Sequence, residues 1–153
     1  MAWEQGRAVV ESLIRTGMLE RVPPSLAAAQ SLVDVAETHL ASELTLADTD
    51  TVLAYDALHG ANRKALTAIL LAQGLRPTRA GGHIALYDAV MAQLDPPPLG
   101  RNLAAYHRVR RARNAGDYRE EHDAVADDVR ADHPGCRKTV DIAKRVIGQM
   151  PPF

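Results

Sequence analysis

The chain has 153 residues and carries 18 Lys and Arg against 19 Asp and Glu, a formal net charge of -1. Aromatic residues make up only 4%, which excludes an aromatic cage or a platform on which bases stack. The single cysteine, Cys136, excludes an intramolecular disulfide and a Cys-rich zinc site.

The length suits one domain over residues 1–153. A chain of this size buries roughly two-thirds of its unfolded surface, so it folds without a covalent or metal staple. No apolar run reaches the ~18 residues needed to span a bilayer. The opening residues, Met1 to Arg7, lack the form of a signal peptide. The expectation is therefore a cytoplasmic protein with no membrane attachment. Alanine and leucine are abundant and favour helix, whereas strand formers are sparse. Arginine supplies 15 of the 18 basic residues, and its planar fork suits carboxylate or phosphate.

Apolar residues recur with helical period from the start of the chain. A first helix is expected over residues 3–16, with Val9, Val10, Leu13 and Ile14 inward. Residues 1–22 read as an additional N-terminal helix and its connector. Pro23-Pro24 breaks the chain, and Ser25 then caps a second helix reaching about residue 40. Its inward stripe is Ala29, Val33, Ala36 and Leu40. A third, longest helix runs over residues 51–73 and ends at Gly74. Its stripe of Ala54, Leu58, Ala61, Ala65, Ala68 and Ala72 is small enough for close approach of a neighbour, within the chain or across a homodimer seam. Gly60 weakens that helix by about 1 kcal/mol relative to alanine.

A fourth helix is expected over residues 83–94, with Ile84, Tyr87, Met91 and Leu94 aligned. Asp95-Pro96-Pro97-Pro98 follows as a stiff non-helical connector. The fifth helix, about residues 102–114, is rich in arginine. The last covers residues 126–149, interrupted at Pro134-Gly135, with Cys136, Val140, Ala143, Ile147 and Met150 inward. No strand pattern or repeat is evident. The reading is an all-α, antiparallel up-and-down bundle of about six helices.

The near-zero net charge conceals segregation. Residues 101–119 hold six arginines against Asp117, or +5; residues 120–133 hold six acidic residues against Arg130, or -5. A second basic group, Arg63, Lys64, Arg76 and Arg79, brackets the end of the third helix. Helical spacing places Tyr106, Arg110 and Arg113 on one side, and His107, Arg111 and Asn114 on an adjacent one. Such a face can grip phosphate oxygens. It can equally pair with the acidic stretch that follows, or complement the helix dipole. Arg79-Ala80-Gly81-Gly82-His83 is a Gly-rich turn before a helix, suited to an anion or simply to starting the helix. The six histidines never fall at i, i+3 or i, i+4 from one another, so neither a metal nor another cofactor is expected. Cys136 reads as a small buried residue, although Arg137 and Lys138 beside it are charges of the kind that lower a thiol pKa.

The run from Tyr106 to Tyr118 resembles the signature helix of the HEPN superfamily. Ala54-Tyr55-Asp56-Ala57-Leu58, Arg63-Lys64-Ala65-Leu66, Leu75-Arg76-Pro77-Thr78 and Gly81-Gly82-His83 are similar to further blocks of such proteins, and the resemblance spans roughly residues 25–150. It implies an up-and-down bundle, a homodimer, and RNA binding or metal-independent ribonuclease activity in toxin–antitoxin or defence systems. It also implies an antitoxin-like partner, of the nucleotidyltransferase kind, as the alternative role of an interaction module. The family motif is an arginine, then four to six residues, then a histidine. Arg113 matches the arginine and Asn114 the polar residue after it, while Tyr118 stands in the histidine's place. A tyrosine with its ordinary pKa near 10 moves a proton poorly at neutral pH, so RNA binding without cleavage is expected. His107 and His122 are the candidate substitutes. Arg108, Arg110, Arg111 and Arg119 would hold phosphate. The Gly-rich turn leaves a nucleotide-binding bundle as a third reading.

Overall fold

The computed structural model describes residues 3–117 and 125–153, with Gly116 and Asp117 described by backbone alone. Six helices occur among them: α1 (Arg7–Arg15), α2 (Leu26–Leu46), α3 (Thr51–Gln73), α4 (Gly82–Leu94), α5 (Ala105–Asp117) and α6 (Ala126–Val146). The protein is an all-α helical bundle built around α3, which packs against α2, α4, α5 and α6. None of these helices is long and apolar enough to cross a membrane.

Local chemistry sets the ends of the central pair. The Ser25 hydroxyl accepts from Ala28 N–H at 3.1 Å and starts α2. The Asp50 carboxylate does the same for Leu53 N–H at 3.0 Å and starts α3. Gly74 ends α3 with φ +79, and a Cβ there would lie 2.7 Å from the Val22 carbonyl oxygen. The alanine stripe of α3 is buried inside the chain, so its close approach serves intramolecular packing. Gly60 contributes to the same approach. A Cβ at that position would lie 3.1 Å from the ring of His39 on α2.

Several sequence expectations are corrected. Two three-residue strands exist, β1 (Leu19–Arg21) and β2 (Leu75–Pro77), paired antiparallel with Leu19 opposite Pro77 and Arg21 opposite Leu75. They are too short for alternation to register in sequence. Helix α1 begins only at Arg7, because Gly6 before it adopts φ +74. Val9 and Ile84, expected inward, are 42% and 57% exposed. The buried face of α4 runs instead through Leu86, Tyr87, Ala89, Val90 and Gln93. Helix α6 passes through Pro134 without interruption. A proline costs a helix interior ~3 kcal/mol, but Val129 and Asp132 before it and Cys136, Val140 and Ala143 after it are all buried. Burial on both sides of the proline outweighs that cost.

Helix α5 lies three residues later in sequence than its pattern suggests. The Asp95 carboxylate accepts from Arg101 N–H at 3.0 Å and Leu103 N–H at 2.9 Å. It thereby ties the proline connector to the approach of α5. Tyr106 and Val109, both fully buried, then seat the helix on the core. With those two residues inward, Arg110 and Arg113 come to the groove between α5 and α3.

Candidate functional site

Helix α3 carries a second stripe besides its alanines. Asp56, His59, Arg63 and Thr67 follow one another at spacings of three, four and four, which places them along one side of the helix. Helix α5 crosses this side and brings Arg110, Arg113 and Asn114 to it. The segment from Arg76 to His83, which includes the end of β2 and the Gly-rich turn, closes the far side. The resulting cavity of about 590 Å³ is lined by Arg63, Arg76, Arg79, Arg110 and Arg113, with His59, His83 and Asn114 among them. No carboxylate lines it among the described residues. A second cavity of about 440 Å³ lies on the α2 side and shares His59, Arg63, Thr67 and Arg113 with the first. Asp56, Lys64, Gly60 and Leu32 complete it. The two cavities are lobes of one cleft that runs across α3.

Arg113 is held at the junction. Its Nε–H donates to Asp56 Oδ1 at 2.9 Å, and its Nη1 donates to Asn114 Oδ1 at 3.3 Å. Arg76 pairs with Glu20 across the two strands at 2.7 Å. Arg63, Arg79 and Arg110 have no carboxylate partner among the described residues. The cleft is thus a concave surface on which Arg63, Arg79 and Arg110 stand without a carboxylate partner among the described residues, beside the paired Arg76 and Arg113, an arrangement suited to an anion with several phosphate or carboxylate oxygens.

The histidines report this field. Burial lowers the His59 pKa from its ordinary value to about 4, and Arg113, Arg63, Arg110 and His83 push in the same direction. His59 is therefore neutral at pH 7. His83 is also lowered, first by burial and then by Arg110 and His107. His59 Nδ1 is enclosed without a hydrogen-bond partner. The hydroxyl of Tyr106, fully buried, is unpartnered too. The two rings lie 5.9 Å apart.

The site residues expected from sequence divide into three groups. Arg110, Arg113 and Asn114 come together in the cleft. Arg108 turns the other way and pairs with Asp132 of α6, which also accepts from the Tyr55 hydroxyl at 2.8 Å. Pairing with the following acidic stretch thus holds for Arg108, while Arg110 and Arg113 face the cleft. Arg111 is exposed and lines neither lobe. His107 packs on Tyr87, with ring centroids 4.2 Å apart, and also lines neither lobe. Tyr118, Arg119 and His122 lie outside the described residues.

The Gly-rich turn contributes Arg79, Gly82 and His83 to the larger lobe. Cys136 has no part in the cleft. Burial pushes its thiol up to about 12, opposite to the effect expected of the charges beside it, because Arg137 reaches away to Glu37 and Asp141. Asp56, His59 and Thr67 are polar cleft residues for which sequence reasoning assigned no role. Their signal was a polar stripe at helical spacing in an otherwise apolar helix.

Fold and cleft together define a helical bundle with a basic, two-lobed cleft. Comparison with protein-family models, curated proteins and solved structures gives no significant match to this chain.

Proposed function

We propose that the protein is a HEPN-like RNA-binding bundle whose cleft holds consecutive phosphates of a single strand. The observation that carries this reading is the larger lobe, where five arginines meet with no carboxylate in the lining. The cleft is concave, and single strands are the usual target of RNA recognition within such a surface. Asn114 beside Arg113 offers an amide for a ribose 2′-hydroxyl. The scarcity of aromatic residues means that recognition rests on phosphate and shape. Assembly as a homodimer and a place in a toxin–antitoxin or defence system belong to the same proposal.

Fluorescence anisotropy with a labelled RNA oligonucleotide tests the reading. Neutralising about four phosphates gives log affinity a slope of roughly -2.8 against log salt. Affinity that does not depend on salt overturns the proposal. So does an Arg63→Ala plus Arg110→Ala variant that binds RNA as tightly as the parent. Capture of an acidic protein by a chain with no affinity for RNA would assign the same arginines to a protein interface.

A further inference from the structure

The two lobes of the cleft differ in what walls them and in what they offer an anion. The smaller is lined by α2 and α3, with Arg113 as the residue added by α5. It includes Asp56, whose carboxylate stands against phosphate oxygens. The larger draws its walls from α3, from α5, and from the segment that runs from Arg76 into the first turn of α4. That last segment lines the larger lobe and not the smaller. A strand that passes Arg113 from the smaller lobe therefore runs up against it.

The segment is held in place and opens its amides to the lobe. The Thr78 hydroxyl donates to the Gly17 carbonyl at 2.6 Å and accepts from Gly81 N–H at 3.2 Å. Gly81, the N-cap of α4, supplies no side-chain cap, and the first turn holds no acidic residue. Gly82 and His83 of that turn line the lobe, and a Cβ on Gly82 would meet no atom within 4 Å. The positive end of the α4 dipole is thus left to the cavity. It adds to Arg63, Arg79 and Arg110, the three guanidinium groups without a carboxylate partner among the described residues.

This is more positive charge than one internal phosphodiester, with a single negative charge, can balance. A terminal phosphate carries about -1.5 to -2 at neutral pH and presents three free oxygens. Each of those oxygens can accept a charge-assisted hydrogen bond from a guanidinium group. We propose that the larger lobe takes such a terminal phosphate, so that the cleft prefers RNA strands ending in a phosphomonoester to strands ending in a hydroxyl. This inference rests on the RNA-binding reading above and names the substrate within it. The remainder of the strand leaves past Arg113 into the smaller lobe, where Lys64 is the cation that meets its next phosphate.

Anisotropy titrations of one internally labelled RNA sequence test the inference. The strand is prepared with hydroxyls at both ends, with a 5′-phosphate, with a 3′-phosphate, and as a closed circle. At least one end-phosphorylated strand should bind about ten-fold or more tighter than the hydroxyl-ended strand. Its slope against log salt should be steeper by about 0.7 for each further charge neutralised. The better of the two linear strands identifies which end is held, and equal gains mean that the lobe accepts either. Arg79→Glu, with its fold checked by circular dichroism, should remove the preference. Lys64→Ala should weaken all the strands by the same factor and leave the preference intact. The inference is overturned, and the binding reading kept, if phosphorylated and hydroxyl-ended strands bind equally. A circle that binds as tightly as the phosphorylated strands, or a preference that survives Arg79→Glu, also overturns it. Failure of every strand to bind removes both.

Discussion

Arg113 and Asp56 join α5 to α3 at the centre of the cleft, with Nε–H donating to Oδ1 at 2.9 Å. Each side chain is about one-third exposed, at 35% and 34%. The pair therefore works less as a stabilising bond than as a means of aiming the guanidinium along the seam between the lobes. Asp56 is also the one carboxylate lining the cleft among the described residues, so it competes with any anion for Arg113.

Asp56→Asn is accordingly expected to strengthen RNA binding a few-fold. The stability cost should stay below about 1 kcal/mol, as for other partly exposed ion pairs. Anisotropy titrations and urea melts of the same variant check the two halves of the prediction.

The arginines of α5 should differ by the direction in which they face. Arg63→Ala plus Arg110→Ala removes two unpaired cations from the larger lobe, so affinity falls and the salt slope flattens by about 1.4. Arg111→Ala, one residue from Arg110 but outside both lobes, should leave affinity within about two-fold. Equal losses in the two variants would mean that RNA lies over the outer face of α5.

His59 gives a pH prediction with a defined sign. Its folded pKa, about 4, lies below the unfolded value near 6.5, so the unfolded chain binds more protons between these limits. Stability is complete above about pH 6.5 and falls as the pH drops towards 4. The His59→Gln variant should therefore lose less stability than the parent between pH 6.5 and 4.5, measured by denaturant melts. A proton NMR titration should place the free His59 midpoint near 4 and move it upward when RNA is added.

Outside both lobes of the cleft, Glu37 accepts from Arg137 and also pairs with Lys144 at 3.2 Å, linking α2 to α6. The Arg137 hydrogen bond is the main reason its pKa falls to about 2. A lowered carboxylate stabilises the fold above its unfolded pKa, near 4.5, and that contribution is lost as pH falls from there to about 2. Glu37→Gln should flatten this acid limb without affecting RNA binding.

Gly74 tests the geometry of the cleft's far wall. Its positive φ and the 2.7 Å approach to the Val22 carbonyl leave no place for a Cβ. Gly74→Ala should cost about 2 kcal/mol and, by shifting β2, weaken RNA binding as well. Thermal melts and anisotropy together separate these effects.

Much of the bundle is legible in the chain because its signals are local. Ser25 and Gly74 mark helix ends by hydrogen-bond need and backbone freedom, and the alanine stripe of α3 marks a buried side by its period alone. Pro134 misleads because its cost is local, whereas the burial that outweighs it comes from other helices. The strands escape notice because three residues carry no period, and pairing with a distant segment makes them.

The helices, the apolar sides of α2, α3 and α6, and the separation of charge are legible in the chain alone. These follow from periodicity and from interactions over a few residues. Which arginines share a cleft is set by packing between distant segments. Arg108 and Arg110 are two residues apart, yet one pairs with α6 and the other faces α3, because Tyr106 and Val109 between them fix the rotation of α5 on the core. His59 joined Arg113 by the same means, across 54 positions of sequence, since the packing of α5 on α3 is set by buried contacts that no local pattern encodes.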